Sequence, residues 1–437
     1  MEGRAKIPVI IDTDPGVDDV IAILLALASP ELEILAIIVT FGHTDALVSR
    51  STNIYKVYQA ISRHLELHPE DEARFPNFAP TFRPILAVGP SGPLEGGLHY
   101  AQYFHGKDGL GNIMERHPDL NVTTGDPAFD RNFVTTQKSG VEVALELIQA
   151  RPERSVTYVA LGPLTNLAQL MRDHGQVVRD RIGRVISMGG AVDVPGNTSP
   201  VAEFNFFADP FAVKELLMPA EPGLGLPLER FILLPLDITT PHELSFKYYT
   251  QKVDSQFNCS ANPSQARGKA PLCHFTSSFL ERTREIMNEF GKDAMELHDI
   301  VAIWCAIENP PEGPGKTTDL PKMAHGWAVT GRTFDIEREG EITRGMLVVD
   351  RRDDGKTYVL GANRAEVQAE LDQHAMAYQG FEPTAVPAQV MIERPTTPKD
   401  PSDISYPRPS SAVPCVVTTP GPDVLLQTLM ERVWGIN

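Results

Sequence analysis

A chain of 437 residues with 42% hydrophobic and 22% charged residues has an ordinary globular composition and enough apolar material for a large core. Its formal net charge of -18 excludes a nucleic-acid partner, because phosphate-backbone binding needs a concentrated basic surface and no basic run supplies one. The four cysteines, Cys259, Cys273, Cys305 and Cys415, form no CxxC, which excludes a zinc ribbon or disulfide scaffold and fits reduced thiols in a cytoplasmic protein. Met1 to Lys6 runs directly into the first apolar segment, so no secretory leader is expected. The longest apolar run, Val20 to Ala28, is too short to span a bilayer, so no membrane partner is expected.

Pro8 to Ile11 reads as a buried parallel strand, and Val20 to Ala28 as a helix carrying Asp18 and Asp19 in its first turn. Leu32 to Val39 is a second buried strand, ending in Thr40-Phe-Gly-His43, and Ala46 to Leu65 has helical spacing. Residues 66–84 lack a period and read as a surface insertion. Ile85 to Val88 is a short strand, and His105-Gly-Lys-Asp108-Gly-Leu-Gly111 a glycine-rich loop able to approach a ligand closely. Residues 112–137 are polar and irregular. The alternation resumes with a helix at Val141–Ala150 and a strand at Val156–Leu161. The turn Gly162-Pro-Leu-Thr-Asn166 leads into a helix to about Arg172, and Arg184–Met188 is the next strand. Pro210–Leu217 reads as a helix and Phe231–Leu236 as a strand. Residues 257–275 read as a mobile loop before a helix around Phe279–Phe290, and His298-Asp299 opens an apolar helix through Ile307. Residues 326–360 alternate as in antiparallel strands, and 364–378 look helical. Prolines recur from Pro383 to Pro422, which reads as an extended excursion, and Val424–Val433 is a helix that docks on the body. The β-α-β-α rhythm predicts an α/β fold with a mostly parallel central sheet flanked by helices, open and Rossmann-like.

One stretch stands out. Asp12-Thr-Asp14-Pro-Gly-Val-Asp18-Asp19 places four carboxylates at the carboxyl end of the first strand, where open α/β sheets bind ligands. Helix capping explains one or two of them, not four. Crowded like charges raise one another's pKa, and an all-oxygen set suits a hard cation such as Ca²⁺ or Mg²⁺.

Together with Gly162-Pro-Leu-Thr-Asn166, Ala202-Glu-Phe-Asn205 and His298-Asp299, this motif resembles the Ca²⁺-dependent nucleoside hydrolases of the inosine–uridine-preferring type. The resemblance implies one catalytic domain over residues 1–382, with insertions near 66–84, 112–137 and 257–275. Residues 383–422 and the helix at 423–437 follow it. It implies calcium held by Asp14, Asp19, Asp299 and the Leu161 carbonyl, with Asp14 also as general base. Asp18, Asn197, Glu203 and Asn205 match the ribose-binding set, with Met188 near the sugar. His298 matches the histidine that activates the leaving base, and a homodimer or homotetramer is the expected assembly. His43 stands where the family usually has Asn for ribose binding, a bulkier group that titrates near neutrality. His105 and Asp108 read equally as loop structure or pocket lining.

The chemistry suits these groups. N-glycosidic cleavage builds positive charge on C1′ and O4′, which carboxylates stabilise, and a carboxylate base must deprotonate the attacking water. Inosine–uridine-type substrates are expected, with uridine or another pyrimidine nucleoside ahead of the purine nucleosides. Two other readings compete. A haloacid-dehalogenase-like phosphohydrolase also opens with Asp-x-Asp, but Gly16 and the two later Asp fit it poorly. A non-catalytic nucleoside- or ribose-binding protein is the other, and His43 keeps it open; a phosphorylase is weaker.

Overall fold

In the computed structural model, residues 5–43, 47–221, 223–315, 319–349 and 412–436 are described, with backbone alone for 47–51 and 102. The described residues form thirteen strands, interleaved with helices through β7: β1 Ile7–Thr13, β2 Leu32–Val39, β3 Ile85–Val88, β4 Val134–Ser139, β5 Val156–Ala160, β6 Ile182–Met188 and β7 Phe231–Leu234. They continue as β8 Glu243–Ser245, β9 Ala294–Glu296, β10 Ala328–Arg332, β11 Asp335–Ile336, β12 Leu347–Val348 and β13 Val413–Thr418. Nine form one sheet in the order β10-β13-β7-β6-β5-β1-β2-β3-β4. All its pairings are parallel except β10 with β13. β8 pairs with β9, and β11 with β12, in two small antiparallel sheets.

The apolar runs explain the layers. β1, β2, β5 and β6 are buried along almost their whole length, which requires cover on both faces. One face packs on the helices Val17–Leu27, Leu47–Leu67, Pro271–Glu289, His298–Glu308 and Pro422–Trp434. The other packs on Gly140–Ala150, Thr165–Arg181 and Pro210–Leu217. The chain leaves β1 towards β2, β3 and β4, then returns to β5 on β1's other side. β1 and β5 therefore flank the topological switch point, and the crevice lies past their carboxyl ends.

Several local expectations change. The stretch 112–137 ends in β4, an edge strand whose exposed Val-Thr-Thr-Gln-Lys-Ser shows no hydrophobic alternation to announce it. The helix expected to end near Arg172 runs to Arg181, with a non-helical residue at His174. The segment 257–275 is shorter than expected, because the helix begins at Pro271. Its first turns are polar in sequence yet buried, since Thr276 donates to the Leu272 carbonyl and Ser278 to that of Phe275. Within 66–84, Phe75 and Phe78 join the core. At the far end of the proline-rich stretch 383–422, Val413–Thr418 is a strand of the main sheet, with Val413, Cys415 and Val416 buried. The helix expected at 364–378 and residues 383–411 of the proline-rich stretch lie outside the described residues.

Two latches hold late elements. Arg432, on the C-terminal helix, makes paired hydrogen bonds to both Glu31 oxygens at 2.8 Å. His117, Asp119 and His274 meet where residues 112–120 touch the helix Pro271–Glu289. His274 Nε2 lies 2.9 Å from Asp119 Oδ2, and His117 Nε2 lies 3.2 Å from Glu281 Oε2. Among the described residues no helix is long and apolar enough to cross a membrane.

Candidate active site

Pro15 and Gly16 turn the chain out of β1, and the Asp19 carboxylate accepts the Gly16 amide at 3.0 Å to start the next helix. The Thr13 hydroxyl donates to the other Asp19 oxygen. The four acidic positions thereby take different tasks. Asp12 points into the core, where it accepts from the Tyr158 hydroxyl, itself held by Asn166 at 2.7 Å. Burial pushes the Asp12 carboxyl up to about 7 against those hydrogen bonds. Replacing Tyr158 with Phe leaves that carboxyl without its donor, so chemical denaturation is expected to show a loss of about 1–3 kcal/mol with the site geometry retained.

Asp14, Asp18, Asp19 and Asp299 come together although Asp299 arrives from the far end of the chain. Ligating oxygens of Asp18, Asp19 and Asp299 lie within 4.8 Å of one another, as do ligating atoms of Asp14, Asp19 and His43. Both Asp14 oxygens and Asp18 Oδ1 are buried without a hydrogen-bond donor. Burial, opposed by His43 and reinforced by Asp19 and Asp18, holds the Asp14 carboxyl well above its usual range. Burial and the charges of Asp18, Asp19 and Asp14 do the same to Asp299. Burial would raise Asp19 too, but the hydrogen bond and charge of His43 bring it down to about 2. Asp14 is cradled by glycine. A methyl group on Gly42 would overlap Asp14 Oδ2, and one on Gly162 would stand 2.6 Å from Asp14 Oδ1. Unpartnered carboxylate oxygens in a glycine cradle are what a bound cation needs, so this donor set fits a hard metal ion.

His43 Nδ1 donates to the Asp14 carbonyl at 2.7 Å and lies 3.3 Å from Asp19 Oδ2. Burial would lower the imidazole, but Asp14, Asp19 and Asp18 raise it to about 10. Its ring stacks on His105 at 3.6 Å between centroids and faces Phe204 at 5.5 Å. His105 accepts the Val17 amide at 3.2 Å through Nδ1, and burial with the His43 charge keeps it neutral, well below its usual range. His105 therefore stands against His43 and the acidic turn as well as in its own loop. Asp108 instead shapes its own loop, accepting the amides of Leu110, Asn112 and Met114.

The ribose candidates divide. Asn205 is buried and donates to the Leu161 carbonyl at 2.6 Å and the Met188 carbonyl at 3.2 Å, joining the ends of β5 and β6. Glu203 is buried and caps the short helix Phe204–Ala208, accepting amides of Gly190, Asn205 and Phe206. Asn197 is exposed on a turn, where its Oδ1 accepts the Phe204 amide at 3.0 Å. His298 opens the helix His298–Glu308, with Nδ1 2.8 Å from Thr239 Oγ1.

Reading the sequence alone misses Asn53. Its Nδ2 donates to the Pro15 carbonyl at 2.9 Å and the Asp108 carbonyl at 2.7 Å, tying the acidic turn to the loop that carries His105. Its only sequence signal is a short polar side chain on the buried face of an amphipathic helix. Gly42 and Gly162 are also legible only once Asp14 is placed beside them.

An open α/β sheet with a buried carboxylate cluster at its switch point defines an α/β protein with a candidate metal site at the carboxyl ends of its strands. The model of the inosine–uridine preferring nucleoside hydrolases matches residues 9–377, and the chain belongs to that family. It is therefore an N-glycosidase acting on small-molecule nucleosides. A pyrimidine-specific ribonucleoside hydrolase of Citrobacter koseri is 29% identical over 377 residues, covering 86% of this chain and 95% of the relative. Uridine nucleosidase 1 of Arabidopsis thaliana is 35% identical over 204 residues, covering 46% of this chain and 51% of the relative. Among solved structures, a plant nucleoside hydrolase shares the fold with a TM-score of 0.62 at 20% identity, covering 98% of both chains. An inosine–guanosine nucleoside hydrolase does so at 0.60 and 22%, again covering 98% of both.

Proposed function

We propose that this chain hydrolyses the N-glycosidic bond of pyrimidine ribonucleosides, uridine foremost, at a calcium site formed by Asp14, Asp19, Asp299 and the Leu161 carbonyl. The carrying observation is the Asp14 carboxylate, buried between two glycines with neither oxygen hydrogen-bonded and only the His43 ring 3.5 Å from Oδ2 as counter-charge. The Leu161 carbonyl accepts one hydrogen bond from Asn205 and keeps a second lone pair. The pyrimidine preference rests on relatives named pyrimidine-specific ribonucleoside hydrolase and uridine nucleosidase. Bound there, calcium would supply the charge that orients and acidifies the attacking water.

The residues divide the remaining work. Asp14 takes the proton of the water that attacks C1′. Asp18, whose Oδ1 is unpartnered, grips a ribose hydroxyl, and Asn205 and Glu203 fix the wall against which the sugar lies. The carboxylates stabilise positive charge developing on C1′ and O4′. His43 and His105 form a stacked pair closing one side of the pocket. His298 protonates the departing base.

Free ribose measured with uridine, cytidine, inosine and adenosine tests the reading. Exhaustive chelation is expected to stop ribose release, and added calcium to restore it. Calcium at a hundred times its Kd should stabilise the fold by about 2.7 kcal/mol in calorimetry. Uridine should be cleaved fastest, without dependence on phosphate. Release that survives chelation overturns the calcium assignment. Nucleoside binding without ribose release returns the chain to the non-catalytic binding class.

A further inference from the structure

We infer that His117, Asp119 and His274 form a zinc site outside the carboxylate cluster, clamping the segment after the His105 loop to the helix Pro271–Glu289. His117 precedes the 3-10 helix Pro118–Leu120, Asp119 lies within it, and His274 sits near the start of the long helix. One ligating atom from each of the three lies within 4.8 Å of the others. Both imidazoles are buried, and the Asp119 side chain is half exposed, which gives an ion a path from solvent. His274 Nε2 and Asp119 Oδ2 stand 2.9 Å apart. Two ligands of one tetrahedral zinc stand about 3.3 Å apart, so a small outward shift admits an ion in place of the proton between them.

Each ring also has a partner behind it, as metal-binding imidazoles do. His117 Nε2 lies 3.2 Å from the buried Glu281 carboxylate, which accepts its proton and leaves the lone pair on Nδ1. His274 Nδ1 lies 3.0 Å from the buried Ser264 hydroxyl, a group that serves either tautomer. When zinc binds Nε2, the ring proton moves to Nδ1, where that hydroxyl accepts it. The cations nearby are already paired, Arg116 with Glu281 at 2.9 Å and Lys269 with Asp254 at 2.6 Å. Two imidazoles and one carboxylate suit a borderline ion such as zinc better than a hard cation, and a water completes the four ligands. Arg116 spans the same junction, donating to the Gly111 carbonyl of the loop and the Ser278 carbonyl of the helix. The ion would therefore fix the far end of the loop that carries His105.

The test titrates the full-length protein with zinc chloride in excess calcium, so that the carboxylate cluster does not take the zinc, and follows heat and melting temperature. Wild type is expected to bind zinc with a Kd of about 1 μM or tighter and to melt higher with it. Asp119→Asn removes one charge from a half-exposed side chain that can still accept from His274. It should weaken zinc at least about 10-fold while the zinc-free melting temperature stays near wild type. Ser264→Ala, which touches the ring without reaching the ion, should weaken it about 10-fold. His117→Gln/His274→Gln should abolish the binding. Cobalt in place of zinc should give the visible ligand-field bands of a four- or five-coordinate ion in wild type and lose them in the double variant. An absence of saturable zinc binding in wild type overturns the inference. Unchanged affinity in Asp119→Asn or in the double variant overturns it too, by placing the ion elsewhere.

Discussion

Asp14→Ala is expected to lower uridine turnover by about 10⁴-fold or more, because one side chain supplies both a metal ligand and the general base. Either loss alone is severe. Isothermal titration should show calcium affinity falling in parallel with activity, since both unpartnered oxygens vanish together. The chelated variant should also melt above chelated wild type. Without a cation, Asp14 is a buried carboxylate crowded by Asp18 and Asp19 with His43 as its counter-charge, and its removal relieves that crowding. Substantial turnover in the variant would sink the role given to Asp14.

The second large effect involves no polar atom. Gly42→Ala is expected to reduce activity by at least about 100-fold while the protein remains folded. Gly42 has φ +153, and the added methyl group would overlap Asp14 Oδ2. The Asp14 carbonyl also accepts from His43, the next residue after Gly42, so the Asp14 main chain is pinned and its side chain has little room to retreat. The carboxylate must rotate away from the position it shares with Asp19, and near-attack positioning is lost with it. Gly162→Ala should act similarly but more mildly, its methyl standing 2.6 Å from Asp14 Oδ1. Calcium titration and circular dichroism separate the cases: weakened calcium binding with an intact spectrum is expected. Wild-type affinity in Gly42→Ala would show that the carboxylate does not need the cradle.

The outcome for individual elements follows from what each depends on. β1 and β2 were legible because unbroken β-branched runs have no other economical fate than burial between two helix layers. β4 was hidden because an exposed edge strand gains its backbone pairing from β3, and its side chains need follow no pattern. The start of the helix Pro271–Glu289 was hidden because its hydroxyl side chains look like loop residues until a neighbouring layer buries them. Within the site, the acidic motif was legible because its ligands crowd into eight residues. Asn53 and Thr239 were not, since each acts on a partner brought to it by another element.

By itself the sequence determined that four carboxylates gather at the end of a first buried strand, and that this crowd calls for a hard cation. Local charge density and apolar periodicity are properties of short windows, and they need no fold to be read. Which oxygen does what was decided only by the tertiary structure. The switch point between β1 and β5 places Leu161 and Asp299 around the motif, turns Asp12 inward to Tyr158, and leaves Asp14 bare between Gly42 and Gly162. A carboxylate's task depends on which donors reach it, and those donors come from parts of the chain that only folding brings near.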